Sequence, residues 1–191
     1  MAKSLLEPYV TSLLTDKKGI LDHWRRQKLT LSNRTKNFEN WLLVELVDRL
    51  LQTGKIIDLK TNGNLSGKKI KACDVAGLNN RKFKAVHLSP DIDIRLKDGF
   101  TITSEIKTGL APKDLLNDLK IVKHYKKIGL SKQIEFVWVT LLPAEDIFER
   151  RAAKSFEKTY QGMLDDKHNN DLSFIRKEIT PWMILVVAIS L

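Results

Sequence analysis

The segment from Ser89 to Thr108 constrains this chain more than any other. Apolar and polar residues alternate on both sides of Asp98-Gly99, a dipeptide that favours a tight hairpin turn. Ile92, Ile94, Leu96, Phe100, Ile102 and Ile106 share one parity; Asp91, Asp93, Glu105 and Lys107 share the other. Successive side chains of a strand point to opposite faces. A three-residue loop with Gly99 in the left-handed region keeps that parity across the turn, so one face carries three carboxylates and an amine. Asp91 then stands opposite Glu105, with Asp93 one step along. Acids held this close repel one another, and a hard divalent cation with oxygen ligands relieves the repulsion. The plainer alternative is the solvated face of an antiparallel hairpin, with Asp93 paired to a cross-strand threonine and Lys107 to Glu105 or Asp91.

Charge adds a second constraint. The chain has 191 residues and a net charge of +10. Residues 61–90 carry six Lys/Arg and one acid, and residues 111–133 carry six Lys and two Asp. Residues 134–191 are mildly acidic, with seven basic and nine acidic residues. The basic excess therefore flanks the acidic hairpin on both sides, as expected for a polyanionic substrate such as nucleic acid. One cysteine, Cys73, leaves no internal disulfide and suits a reducing, cytoplasmic setting. The longest apolar run, Met183 to Ile189, is too short to cross a bilayer, and no signal peptide or membrane association is expected.

The length predicts one domain, 1–191, with residues 1–35 as a helical extension packed on it. Short helices are predicted at 4–15 and 19–28, and a longer one from Lys36 to Thr53, stopped by Gly54. A strand is predicted at 55–60, a polar loop at 61–71 and another strand from Phe83 to Leu88. The hairpin follows, then a helix at 112–128 opened by Pro112, a strand at 133–142 and a helix at 144–162. Residues 163–173 read as a loop. The unbroken apolar run at 182–190 predicts a strand buried on both faces. The order suits an α/β three-layer sandwich with a mixed central sheet flanked by helices.

Pro90-Asp91, a short hairpin and Glu105-Ile106-Lys107 resemble the signature of the PD-(D/E)XK nuclease superfamily, whose fold is restriction-endonuclease-like. The order of elements around the hairpin is similar to that fold as well, with extra N-terminal helices. The resemblance implies that Asp91, Glu105 and the Ile106 carbonyl ligate Mg²⁺, with Mn²⁺ as a substitute. It implies that Lys107 positions or activates the attacking water and stabilises charge on the phosphate. Some branches take their ligand from the second acid of an acid-apolar-Asp-apolar run, which Asp91-Ile92-Asp93-Ile94 also satisfies. Pro90 favours Asp91; Asp93 stays the alternative ligand, or a partner of a second metal or of Lys107. Many members add an acid from the first core helix, here Glu39 or Glu45. On a helical wheel Glu39 falls in the apolar arc with Leu43, Leu46 and Leu50, where an acid needs a partner or a metal-bound water; otherwise it caps the helix start. A Gln-x-x-x-Tyr branch is not matched, because Ile121 stands four residues before Tyr125.

The helix at 112–128 gathers Lys113, Lys120, Lys123 and Lys127 on one side, near His124. Leu115, Leu119, Val122, Tyr125 and Ile128 lie on the other. The lysine side is either solvated surface or a contact to nucleic-acid phosphates. Gly63 to Lys68 is one residue short of a phosphate loop, and Lys69 stands where such a loop needs Ser or Thr. The four His are scattered and Cys73 has no partner, so no zinc site is expected. The functional expectation is a Mg²⁺-dependent phosphodiesterase, a deoxyribonuclease that cuts internally, with DNA (or RNA) as partner and a homodimer as one way to cut both strands. The alternative is a non-catalytic nucleic-acid-binding or assembly protein that retains the fold.

Overall fold

The structure, a computed structural model, describes residues 3–15, 34–78, 87–108, 112–141, 147–180 and 183–190. Its elements run α1 (Glu7–Thr15), α2 (Arg34–Gln52), β1 (Ile56–Thr61), β2 (Ile70–Lys71), β3 (His87–Leu88), β4 (Ile92–Leu96), β5 (Thr101–Thr108), α3 (Pro112–Lys127), β6 (Gln133–Leu141), α4 (Ile147–Asp165), β7 (Ser173–Thr180) and β8 (Met183–Ser190). Six strands form one mixed sheet in the order β1-β4-β5-β6-β8-β7, and β2 pairs with β3 in a separate ribbon. Only β5 and β6 run parallel; the other neighbours are antiparallel. A parallel pair needs a long crossover. Here α3 makes it, and so lies over the face that carries Glu105 and Lys107.

Two cores sandwich the sheet. Leu6, Val10 and Leu14 of the α1 region and Leu42, Leu46 and Leu50 of α2 pack on Ile92, Ile94 and Ile106. On the opposite face Leu115, Leu119 and Val122 of α3 and Phe156 and Met163 of α4 pack on Ile134, Phe136 and Trp138. β8 serves both: Met183, Leu185, Val187 and Ile189 belong to the first core, Ile184, Val186 and Ala188 to the second. All eight of its residues are buried. The unbroken apolar run thus follows from position, between β6 and β7 and covered on both sides. Trp138 tilts against Phe156 with ring centroids 5.0 Å apart, an arrangement that adds to simple area burial.

The hairpin has the expected geometry. Gly99 has φ 78°, Leu96 N–H donates to Phe100 O at 2.8 Å, and the register pairs Asp93 with Thr103 and Ile92 with Ser104. Parity is kept across the turn, so Asp91, Asp93, Glu105 and Lys107 leave the same face. That face is not open water, as it would be in a simple solvated hairpin, because α3 crosses it.

Several expectations need adjusting. β7 was absent from the predicted strands. It is an edge strand in which Arg176, Lys177 and Glu178 follow one another, so its pattern is weak. α4 extends to Asp165, into the expected loop at 163–173. Only His87–Leu88 of the predicted strand from Phe83 is described. The predicted helix at 19–28 lies outside the described residues. Among those residues no helix is long and apolar enough to cross a membrane.

One buried acid fixes the start of α1. Ser4 is its cap, accepting the Glu7 N–H at 2.8 Å. Glu135, on β6 and fully buried, reaches across to accept Ser4 Oγ at 2.6 Å, Leu5 N–H at 2.7 Å and Leu6 N–H at 3.2 Å. It also contacts the Gln133 amide. Burial pushes the Glu135 carboxyl up, and these donors oppose the rise. Helix N-terminal N–H groups lack intrahelical partners, and here a strand carboxylate supplies one.

Candidate active site

The carboxylate cluster gathers where β4 begins and β5 ends. The β4–β5 ladder stops at Ile92 and Ser104. One residue further out, Asp91 replaces the ladder with its side chain: Oδ2 accepts Ile106 N–H at 2.7 Å. In an antiparallel ladder a residue turns its N–H and C=O to the same neighbour. The Ile106 carbonyl therefore faces the Asp91 edge too. The carboxyl groups of Asp91 and Glu105 are close enough to act on each other's proton affinity. Glu105 Oε1 also accepts the Tyr125 hydroxyl of α3 at 2.7 Å.

Two further acids close the site around Lys107. Asp118, on α3, stands with Oδ2 at 3.5 Å from Lys107 Nζ. That is longer than a strong charge-assisted hydrogen bond, and among the described residues the buried Oδ2 has no hydrogen-bond partner. Glu39, from the first turns of α2, accepts Thr108 N–H at 3.2 Å and acts electrostatically on both Lys107 and Asp118. Four elements thus bring Glu39, Asp91, Glu105, Lys107, Asp118 and Tyr125 together. The five charged members are only partly buried, so the cluster is reachable from solvent.

The electrostatics follow from crowding in a poorly hydrated place. Burial raises Glu105 well above the usual carboxylate range; Asp91 and Asp118 push it further, against the Tyr125 hydroxyl. Burial raises Asp91, against the Ile106 N–H, Glu105 and Lys107. Asp118 is pushed up to about 6, chiefly by burial, which outweighs Lys107 beside it; Glu39 and Asp91 add to the rise. Burial lowers Lys107, but Asp118 and Glu39 outweigh it and hold the amine above its ordinary value. Tyr125 is raised by burial and by Glu105, and so stays a hydroxyl donor.

Asp93 does not join this group. It is 3 % exposed. Oδ1 accepts Thr103 Oγ1 at 2.7 Å and Ser131 Oγ at 3.2 Å, and Oδ2 accepts Leu65 N–H at 2.7 Å. The cross-strand threonine considered from the sequence is Thr103, and Asp93 anchors the loop after β1. The α3 lysines are also elsewhere. Lys120, Lys123 and Lys127 lie roughly 140–200° around the helix from Asp118, at the 3.6-residue period. They line a cavity of about 410 Å³ with Asp74 and Asp166. Lys120 Nζ donates to Gly77 O at 3.0 Å, and Lys123 pairs with Asp171 at 3.8 Å. The Lys113 side chain lies outside the described residues. Of the two helix acids, Glu39 is the one that meets the cluster, through Thr108 N–H and its effect on Lys107 and Asp118.

Asp118 and the Tyr125 hydroxyl are absent from the site read from sequence. Asp118 shares the inward arc of α3 with Val122 and Tyr125, and an acid in an apolar arc was the signal that singled out Glu39. The donor set suits a hard cation: carboxylate oxygens and a backbone carbonyl. Among the described residues, however, no three His, Cys, Asp or Glu side chains are already set to hold a metal ion. Burial raises both Asp91 and Glu105, so metal ligation would compete with their protons. Compared with family models, curated proteins and solved structures, the chain matches none.

Proposed function

We propose that the chain is a cytoplasmic, metal-dependent nuclease of the restriction-endonuclease-like fold that hydrolyses DNA phosphodiester bonds, cutting internally. The observation that carries this reading is the meeting of Asp91, Glu105 and Lys107 with Glu39 and Asp118 at one end of the sheet. A surface ion-pair network would not bury acids beside one another against their own repulsion. Asp91, Glu105 and the Ile106 carbonyl would hold Mg²⁺, with Glu39 supplying a further oxygen. When bound, the ion neutralises charge on the phosphate oxygens and makes water a better nucleophile.

The chain's own groups do the rest. Lys107 keeps its proton and sets a positive charge where negative charge grows on the phosphate. Asp118 and Glu39 hold that amine in place from two sides. Tyr125 keeps Glu105 turned toward Asp91. In the reaction the water oxygen bonds to phosphorus, one ester P–O bond breaks, and the departing oxygen takes up a proton.

The test is cleavage of plasmid, single-stranded DNA and RNA with Mg²⁺, Mn²⁺ or EDTA. Cutting is expected with either metal and not with EDTA. Glu105→Gln should weaken metal binding and be partly restored by excess Mn²⁺. Lys107→Ala should cut about 10²–10³-fold more slowly yet bind DNA in Ca²⁺ much as wild type does. Wild-type protein that binds DNA but never cuts it, with any metal, would leave the non-catalytic reading in its place.

A further inference from the structure

The loop that joins β1 to β2, residues 62–69, failed the sequence test for a phosphate loop, and the structure explains how it differs. Several of its backbone donors are spent. Asn62 N–H donates to Asp91 O and Gly63 N–H to Pro90 O, each at 3.1 Å. Leu65 N–H goes to Asp93 and Lys68 N–H to Asn64 Oδ1 at 3.0 Å. These four N–H groups are therefore not free to cradle a phosphate. Instead the loop is a fixed scaffold for ammonium groups. Asn64, buried, ties it internally. Asn62 takes φ 51° and Gly67 φ 68°. Lys68 Nζ caps the carbonyl end of α3 through Ile128 O at 2.9 Å.

A shallow cavity of about 280 Å³ is lined by Lys60, Lys68, Lys69, His87 and Ser89, with no acid in its wall among the described residues. Lys60 crosses Gly63 so closely that a Cβ there would stand 2.7 Å from Cε. Its Nζ spends one donor on Asn64 O at 3.3 Å. Lys69 and His87 are exposed. Ser89 is two residues from Asp91, so the cavity wall begins within about 7 Å of the proposed metal ligand. The two backbone bonds from Asn62 and Gly63 to the Pro90-Asp91 peptide fix that relation.

We propose that this cavity, through Lys60, Lys69 and His87, binds the backbone phosphates of the nucleic-acid strand next to the one being cut. The inference rests on the nuclease reading above. It assigns the principal backbone contact to this loop rather than to the α3 lysines. Those lie on the far side of their helix from Asp118, beside two acids and partly engaged. A bed of cations with no acid binds phosphate without regard to base identity. The loop backbone is already held by hydrogen bonds, so the ordering cost on binding falls on the side chains.

The test measures affinity for a duplex and a single strand in Ca²⁺ as a function of salt, for Lys69→Gln, Lys60→Gln/Lys69→Gln and Lys127→Gln. Lys69→Gln should weaken binding about 3- to 10-fold near 0.1 M salt and lower the slope of log affinity against log salt by about 1. The double variant should lower it by about 2, and Lys127→Gln should leave it unchanged. Thermal unfolding confirms that each variant folds. If wild type cuts DNA but Lys69→Gln and the double variant keep its affinity and slope, the loop site is wrong and the nuclease reading stands. If Lys127→Gln alone lowers the slope, the contact belongs to α3. If wild type neither binds nor cuts any nucleic acid, both readings fall together.

Discussion

Replacing Asp118 by Asn tests whether the cluster is as crowded as its geometry implies. The Asp118 carboxyl is pushed up to about 6 from an ordinary 3.8. The folded chain therefore holds this proton more tightly than the unfolded chain does. That preference is fully present below about pH 4 and is lost as pH rises through 6, so wild-type stability should fall across that window. A shift of about two units is worth about 3 kcal/mol. About 1 kcal/mol of it is already lost by pH 4.5, which leaves about 2 kcal/mol between pH 4.5 and pH 7.5. The side chain is 20 % exposed, so solvent screening trims the figure modestly. Asn carries no proton to lose. The unfolding free energy of Asp118→Asn minus that of wild type should therefore grow by about 2 kcal/mol from pH 4.5 to pH 7.5 in EDTA. The sign favours Asn at the higher pH. Glu105 adds in the same direction, because the Asp118 charge is one of the groups that raise it. Urea denaturation at four or five pH values measures this directly, and in a heating scan the change corresponds to about 4–8 °C. A difference that stays flat with pH would refute the claim that Asp118 is buried against its own charge.

Two further outcomes are expected. Tyr125→Phe removes the hydroxyl from Glu105 Oε1 and should raise the Glu105 carboxyl further, moving the acidic limb of the cleavage profile to higher pH and costing about 1–2 kcal/mol at neutral pH; an unmoved pH–rate profile would remove Tyr125 from the site. Glu135→Ala strips acceptors from Ser4, Leu5 and Leu6 at once and should cost about 3 kcal/mol or more. Glu135→Gln should cost less, and limited proteolysis should find residues 3–15 opened first in the alanine variant.

What the sequence made legible was what a short stretch determines by itself. Parity across Asp98-Gly99 placed Asp91 and Glu105 on one face without any knowledge of the sheet. The unbroken apolar run at 182–190 reads as a strand covered on both faces. What it hid depended on distant partners. Asp91 and Asp93 look equivalent in the pattern Asp-Ile-Asp-Ile. They differ because Leu65, Thr103 and Ser131 converge on one, while Ile106 and Glu105 meet the other. Tyr125 read as core and is fully buried, yet its hydroxyl end belongs to the site. β7 is hidden because Arg176, Lys177 and Glu178 follow one another in an edge strand and blur its alternation.

The place of β8 also sets the order in which this molecule can be assembled. β6 pairs with β5 on one edge and waits for β8 on the other, with Leu141 meeting Met183 and Ile134 meeting Ser190. During synthesis β6 emerges well before that partner. Until β8 arrives, that edge of β6 lacks its strand partner, although α3 and α4 precede β8 and can cover the Phe136 and Trp138 side. Late, long-range strand insertion is slow, and an open apolar edge recruits other chains. Nascent chains should therefore be most vulnerable to misassembly in the interval between the emergence of β6 and that of β8. Once β8 is in place, the same insertion locks the sheet from both sides.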